Sequence, residues 1–182
     1  SEFNIDIIFI GLPNHLHYEW AKLSLLNKKN VLIEKPACIK PSEFEELMSI
    51  AKENKLHIFE GIYFRSHPNI QKIFDIIDDN NFERMKSVKS SFGMDALGGK
   101  KIFGLRLKKP KKSNRLFNPD SFGGSIWDLG CYPILFANLF MKKYADKYLN
   151  INDVIKVGRT MGSTAVDLDS ELDLTKDKIK IK

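Results

Sequence analysis

The stretch Val31-Leu32-Ile33-Glu34-Lys35-Pro36 decides the fold of this chain. Its three apolar residues, two of them β-branched, predict a short buried strand. The proline ends the strand, because it lacks a backbone donor and has a fixed φ. Glu34 and Lys35 therefore come where a buried strand stops. In open α/β sheets, ligands bind outside the carboxyl ends of the strands, so this position is a candidate binding edge.

Lys35 has two interpretations at this position. It is either a solvated lysine at a strand end, since lysine is rarely buried without a partner, or a lysine held in a cleft to stabilise charge or donate a proton. The stretch by itself leaves both open.

The segments around this strand complete a β-α-β-α-β pattern. Residues 5–11 (IDIIFIG) are nearly all apolar, which is typical of a strand covered on both faces. A helix is predicted over residues 15–28, with Asn14 as its N-cap, and a second over residues 41–54, followed by a strand at 56–59. Such crossovers predict a parallel sheet. The stripe of the first helix that faces the core is expected to consist of Leu16, Trp20, Leu23 and Leu26.

The pattern changes after residue 62. Pro68 is typical of the first turn of a helix, and residues 85–94 alternate like a strand that is wet on one face. A helix is predicted over residues 126–141. Further strands are expected at residues 151–157, 163–174 and 179–182.

Composition excludes several classes of protein. With 182 residues and 43% hydrophobic content the chain is globular rather than disordered. No apolar run approaches the roughly 20 residues that cross a bilayer, and acidic residues stand at the N-terminus, where a secretory signal carries basic ones. Cys38 and Cys131 form neither a metal-ligand spacing nor a disulfide framework. We therefore expect a cytoplasmic protein with no membrane partner and no metal site.

Residues 95–122 form a long polar connection. Seven of the residues from 100 to 112 are basic and none is acidic, and the whole chain has a net charge of +6. The run is either a solvated loop or a patch for an anion or nucleic acid, with Phe103 as the one stacking candidate. Since the patch depends on one charge run, we expect no nucleic-acid partner.

Asp128 and Tyr132 lie four residues apart in the predicted helix at 126–141, so their side chains share one face. They form either a hydrogen-bonded surface pair or, together with a lysine, a proton relay. Both interpretations stay open at this point.

Four motifs, in this order, resemble the Gfo/Idh/MocA oxidoreductases. They are residues 11–17 (GLPNHLH), 31–36 (VLIEKP), 60–68 (EGIYFRSHP) and 123–133 (GGSIWDLGCYP). The tyrosine of the last motif is similar to that of the branch containing dihydrodiol dehydrogenases and glucose–fructose oxidoreductase.

The resemblance implies an α/β fold in two parts. Residues 1–62 would form the C-terminal half of a Rossmann parallel sheet, and residues 63–182 part of an α+β domain with a large, mostly antiparallel sheet. It also implies NAD or NADP as cofactor and hydride transfer to or from a carbinol of a sugar, polyol or dihydrodiol. The C-terminal sheet of such proteins often mediates dimerisation, which implies a homo-oligomer.

By position, the resemblance assigns a role to individual residues. Lys35 matches the catalytic lysine, Tyr132 the acid–base residue and Asp128 the supporting carboxylate. The residues matching cofactor-binding positions are Pro13, Asn14, His17, Glu34 and Pro36, with Arg65 and Arg115 matching more loosely.

The chain also departs from the family pattern. No G-x-G-x-x-G occurs in it, although the family binds pyrophosphate at such a turn. We therefore expect a fragment of the family fold, in which residues 5–11 lie at an exposed sheet edge where the missing strand would pair. The alternative to an oxidoreductase is a catalytically silent relative that binds a sugar or nucleotide, or serves as an interaction module. A smaller departure is Lys28, which stands where a helix-ending glycine is expected.

Overall fold

The computed structural model describes residues 4–80, 85–98, 101–102, 105–106 and 108–182, with the backbone alone for 101–102 and 105–106. These residues divide into two compact units. The first unit extends to Tyr63 and also includes Asp120–Phe122. The second unit holds the described residues of Phe64–Pro119 and Gly123–Lys182.

The first unit is built on a three-stranded parallel sheet, in which the strands lie side by side in chain order. This confirms the predicted β-α-β-α-β pattern. Its elements are β1 (Ile7–Ile10), a 3-10 turn (Asn14–Leu16), α1 (His17–Leu26), β2 (Asn30–Ile33), α2 (Pro41–Glu53) and β3 (Ile58–Glu60).

The core of the first unit lies between the central strand and its two helices. Val31 and Ile33 of β2 are completely buried, as are Leu25 of α1 and Leu47 of α2. Each such side chain contributes about 1.5–3 kcal/mol when it leaves water. Val31 and Ile33 face the same side of the sheet, so the central strand is fixed by burial on that face. On the other face Leu32 is half-buried and its neighbours Phe9 and Phe59 are exposed, so the prediction that residues 5–11 are covered on both faces is wrong for this unit.

The face of α1 that is buried differs from the predicted stripe. Trp20, Leu23 and Leu26 are about half exposed, and the buried positions of the helix are His17, Ala21, Ser24 and Leu25. Among the residues that the structure describes, β1 is an edge strand, as predicted, and its Ile7 and Phe9 are exposed.

Both helices of the first unit end in the same way, on a lysine with positive φ. At the end of α1, Lys28 has φ +60°, its N–H donates to the Leu25 carbonyl at 3.0 Å, and the Lys29 N–H donates to the Ser24 carbonyl at 3.0 Å. Lys55 repeats this conformation after α2, with φ +55°. These are Schellman endings, in which glycine is the favoured residue.

The second unit is built on a four-stranded mixed sheet. Its strands lie in the order β4 (Ser87–Val88), β9 (Ile179–Ile181), β8 (Asp167–Lys176) and β7 (Val154–Met161). β4 and β9 are parallel, and the other pairs are antiparallel. Ala137 and Met141 of the long helix α5 (Cys131–Ala145) are completely buried in the core of this unit. The elements are α3 (Pro68–Asp79), β4 (Ser87–Val88), β5 (Lys101–Ile102), β6 (Leu105–Arg106), α4 (Ser125–Leu129), α5 (Cys131–Ala145), β7 (Val154–Met161), β8 (Asp167–Lys176) and β9 (Ile179–Ile181).

Several predicted elements of this unit differ in extent. The strand predicted at 85–94 is limited to Ser87–Val88. The helix predicted over 126–141 is two helices that meet at Gly130, where an added Cβ would lie 2.5 Å from the Ile126 carbonyl oxygen. The strand predicted at 163–174 begins only at Asp167, because residues 162–165 form the turn of a hairpin with β7.

Among the described residues, none of the helices combines the length and apolar content that crossing a membrane requires.

Candidate active site

The carboxyl ends of the parallel strands in the first unit are tied together directly before Lys35. The Glu34 N–H donates to the Ile10 carbonyl of β1 at 2.9 Å, and the Gly61 N–H donates to the Ile33 carbonyl at 2.7 Å. Lys35 follows this junction and is half-buried. The structure thus places Lys35 at the sheet edge where ligands bind in open α/β folds.

The backbone that follows Lys35 is held by two side chains. The Lys35–Pro36 peptide bond is cis. Nδ1 of His17 lies 2.8 Å from the Pro36 carbonyl oxygen, and the Ala37 N–H donates to Glu60 Oε1 at 2.9 Å. The turn carrying the lysine is therefore fixed to β3 and to the start of α1.

Asn14 and His17, two of the predicted cofactor-binding residues, are buried in the first unit. The Asn14 amide donates to the Phe122 carbonyl at 3.4 Å. His17 is completely buried, and its Nε2 lies 2.7 Å from the Leu12 carbonyl oxygen. Pro13, Glu34 and Pro36 are half-buried around them. Contact of these five side chains with a cofactor stays a prediction.

In the second unit the structure brings Asp128 and Arg115 together. Asp128 lies in the first turn of α4, and its Oδ1 is 3.4 Å from Nη1 of Arg115. The carboxylate is 13% exposed and the guanidinium 55% exposed. A pair this open to solvent contributes at most about 1 kcal/mol to stability, so its effect is to orient Asp128.

Tyr132 lies in the first turn of α5 among aromatic rings. Its ring centroid is 4.6 Å from that of Phe92 and 5.8 Å from that of Phe64. The Tyr132 phenol therefore has an apolar wall beside it. The predicted pairing of Tyr132 with Lys35 stays a prediction.

Arg65 lies on a 3-10 turn (Tyr63–Ser66) and is exposed.

The Gly-Gly-Ser segment before α4 has a structural role. An added Cβ on Gly123 would lie 2.5 Å from the Arg115 carbonyl oxygen. Gly124 has φ +112°, a conformation that other residues rarely adopt. Both glycines are thus required where the chain turns into the helix that carries Asp128.

Asp167 on β8 anchors the helix that follows this segment, and no pattern in the sequence indicates it. Its Oδ2 accepts hydrogen bonds from the Ser125 hydroxyl at 2.5 Å, the Ile126 N–H at 2.8 Å and the Ser170 hydroxyl at 2.9 Å. Burial raises the pKa of Asp167, but these hydrogen bonds outweigh it and hold the pKa below its usual value. A charged Asp167 therefore caps α4 and fixes the helix to the sheet.

In the part of the chain that the structure describes, no three histidine, cysteine or acidic side chains are grouped so that they could hold a metal ion.

Comparison with known proteins places the chain in a family. Residues 1–62 match the oxidoreductase family with an NAD-binding Rossmann fold, Gfo/Idh/MocA. A dTDP-3,4-didehydro-2,6-dideoxy-alpha-D-glucose 3-reductase of Actinomadura kijaniata is 30% identical over 138 residues, which cover 76% of this chain and 38% of the reductase. The chain belongs to the Gfo/Idh/MocA family.

Other members extend the comparison for this Gfo/Idh/MocA chain. The trans-1,2-dihydrobenzene-1,2-diol dehydrogenase of Xenopus tropicalis is 24% identical over 136 residues, covering 75% of this chain and 37% of the dehydrogenase. A crystal structure of a 3-ketoreductase from Actinomadura kijaniata with NADP and TDP-benzene has a TM-score of 0.77 and 26% identity, covering 97% of this chain and 49% of that one. The chain thus spans less than half the length of the relatives it matches.

Proposed function

We propose that this chain is the catalytic part of an NAD(P)-dependent oxidoreductase, which transfers a hydride between nicotinamide and a carbinol carbon of a sugar, polyol or dihydrodiol. The position of Lys35 supports this most strongly. It is a half-buried lysine at the carboxyl edge of a parallel sheet, in the motif that the family places there. We assign residues 1–62 to the Rossmann domain and 63–182 to the substrate domain.

The roles of the residues follow from the charge that develops in such a reaction. When bound, the nicotinamide supplies or accepts the hydride. Tyr132 Oη exchanges a proton with the substrate oxygen, while the Lys35 ammonium stabilises the negative charge on that oxygen more in the transition state than in the ground state. Asp128, oriented by Arg115, supports Tyr132 from the preceding turn.

The first unit has side chains that suit the nicotinamide end of the cofactor. Pro13 and Pro36 are half-buried and offer apolar surface to a ring, while Asn14 and His17 hold the loops that carry them. We assign only this end of the cofactor to the chain, because its sequence contains no G-x-G-x-x-G for the pyrophosphate.

The proposed substrate class and assembly extend what the relatives are named for. One relative reduces a dTDP-sugar and another dehydrogenates a dihydrodiol, so we propose a small cyclic substrate with adjacent oxygen functions. We also propose a cytoplasmic homo-oligomer formed through the C-terminal sheet. Ile155 and Val157, which are exposed on the edge strand β7, support this contact.

The test uses the chain alone and the chain extended at its N-terminus by the part of the Actinomadura kijaniata reductase that precedes the region matched here. We expect the extended form to oxidise NADPH with a dTDP-ketosugar, followed by the absorbance of the reduced nicotinamide. Lys35→Met and Tyr132→Phe should each lower kcat by about 10²–10⁴-fold, with little change in cofactor KM. The exposed residues Lys52 and Tyr148 provide the controls Lys52→Met and Tyr148→Phe.

Two results would contradict this proposal. Unchanged turnover in Lys35→Met or Tyr132→Phe would remove the assigned role of that residue. Binding of a nucleotide sugar by the extended form, without turnover with either NADH or NADPH, would favour the silent binding module instead.

A further inference from the structure

We propose that Glu60 and His17 are positioning residues that clamp one peptide group, the Pro36–Ala37 peptide, directly after Lys35. The inference deepens the proposed function and rests on it in one respect, the catalytic role of Lys35. The clamp itself is a property of the first unit and is testable without substrate.

Glu60 holds the N–H side of this peptide group. Ala37 is 4% exposed, so its N–H needs a partner within the protein. That partner is Glu60 Oε1 at 2.9 Å, and a carboxylate acceptor makes the hydrogen bond stronger than a neutral one. Glu60 is the last residue of β3 and stands opposite Ile33, the last residue of β2. Its side chain therefore extends from the end of one strand to the turn that follows the neighbouring strand.

His17 holds the carbonyl side of the same peptide group. Its Nδ1 lies 2.8 Å from the Pro36 carbonyl oxygen, and its Nε2 lies 2.7 Å from the Leu12 carbonyl oxygen. Carbonyl oxygens only accept hydrogen bonds, so the tautomer with its hydrogen on Nδ1 donates to the Pro36 carbonyl. The completely buried ring thus connects the turn after β2 to the turn after β1.

The two contacts together fix the orientation of the turn. A peptide group is planar, with its oxygen and its N–H on opposite sides, so the two contacts hold the group from both sides. On the other side of Lys35, the Glu34 N–H is fixed by the Ile10 carbonyl at 2.9 Å. Lys35 is therefore bracketed by two anchored peptide groups, which restrict the backbone from which its side chain extends.

The test separates Lys35 positioning from general stability. Glu60→Leu removes the acceptor and Glu60→Gln keeps a neutral one, while Glu45→Gln, at an exposed position of α2, is the matched control. In the chain alone, Glu60→Leu should speed hydrogen exchange of the Ala37 amide by about tenfold or more. Glu60→Gln should retain much of the protection. The Val31 amide, which donates to the His57 carbonyl at 2.9 Å, should keep its exchange rate if the sheet is intact.

Two further readouts report on Lys35. The rate of reductive methylation at Lys35, measured relative to that at Lys52, should differ from the wild-type value in Glu60→Leu and His17→Gln. It should equal the wild-type value in Glu45→Gln. In the extended form, Glu60→Leu should lower kcat by about tenfold with little change in substrate KM, and Glu60→Gln should restore most of it.

The outcomes distinguish the clamp from the proposed function. Unchanged Ala37 exchange in Glu60→Leu, or unchanged Lys35 methylation despite faster Ala37 exchange, would overturn the clamp. Faster exchange at Ala37 and Val31 alike would overturn it too, because Glu60 would then be a general stabilising residue. An extended wild-type protein without turnover would contradict the proposed function, while the exchange and methylation results would still decide the clamp.

Discussion

Replacement of Asp167 should detach α4 from the sheet of the second unit. Asp167 is 7% exposed and accepts hydrogen bonds from the Ser125 and Ser170 hydroxyls and the Ile126 N–H. A hydrogen bond to a charged acceptor contributes about 1.5–3 kcal/mol, and loss of a helix N-cap costs about 1 kcal/mol, but the terms are not additive within one network. We expect Asp167→Ala to lower the free energy of unfolding by about 3 kcal/mol. Asp167→Asn, which keeps an oxygen acceptor without the charge, should cost about half of that.

The effect should depend on pH with a definite sign. The pKa of Asp167 is lowered in the folded protein, because three hydrogen bonds outweigh the opposing effect of burial. The stability that its charge contributes is therefore present above the unfolded pKa of about 3.9 and is lost as the pH falls through the folded pKa. The difference in free energy of unfolding between wild type and Asp167→Asn should thus become smaller as the pH is lowered.

The assay is urea unfolding followed by the fluorescence of Trp127. The other tryptophan is replaced, as Trp20→Phe, so that the signal comes from the second unit alone. Asp169→Asn, an exposed position on β8, is the control and should change stability by about 0.5 kcal/mol or less. The reasoning would be refuted if Asp167→Ala were no more destabilising than this control, or if the difference between wild type and Asp167→Asn grew in acid.

Three further predictions concern helix ends, a glycine and a thiol. Lys55→Gly should raise the free energy of unfolding by about 1 kcal/mol, because Lys55 has φ +55°, while Lys52→Gly inside α2 should lower it by a similar amount. Urea titration compares the two, and effects of the same sign would contradict this. Gly130→Ala should destabilise by about 1–3 kcal/mol, because its Cβ would lie 2.5 Å from a carbonyl oxygen of the preceding turn. Gly158→Ala, whose nearest neighbouring atom is at 3.7 Å, should be nearly neutral in the same titration, and a fully stable Gly130→Ala would show that the turn is not tight. Cys38 should react slowly with iodoacetamide near neutral pH, because burial, and then nearby carboxylates, raise its pKa to about 12. Mass spectrometry of alkylated peptides measures this, and a rate as fast as in urea-unfolded protein would argue against it.

The parallel sheet of the first unit was predictable because short apolar runs alternate with helical segments, which leaves a simple sequence signal. Val31, Leu32 and Ile33 are consecutive apolar residues, and the proline soon after them marks where the strand ends. The location of Lys35 at the sheet edge followed from the same signal.

The buried face of α1 was not predictable from apolar spacing. Its interior positions include His17 and Ser24, two polar residues whose side chains contact backbone carbonyls, the Ser24 hydroxyl donating to Trp20 at 2.7 Å. A pattern of apolar residues overlooks polar groups that are satisfied after folding. It therefore selected Leu23 and Leu26, which the structure leaves half exposed.

The anchor at Asp167 was missed for a different reason. Asp167 and Ser125 are 42 residues apart, so no local spacing relates them, and an aspartate in an alternating segment resembles a solvated one. The break at Gly130 was missed because its backbone stays helical, with φ −62° and ψ −26°, and only the close approach to Ile126 requires glycine there.

The short segment Asp120–Phe122 belongs to the first unit, although the residues on both sides of it belong to the second. Because the Phe122 carbonyl accepts from the buried amide of Asn14, this half of the protein is not encoded as one continuous stretch. Exchange of residues up to Tyr63 between relatives would separate the Asn14 amide from the backbone segment that positions its acceptor. Recombined enzymes of this family should therefore function best when this tripeptide is inherited from the same parent as the parallel sheet.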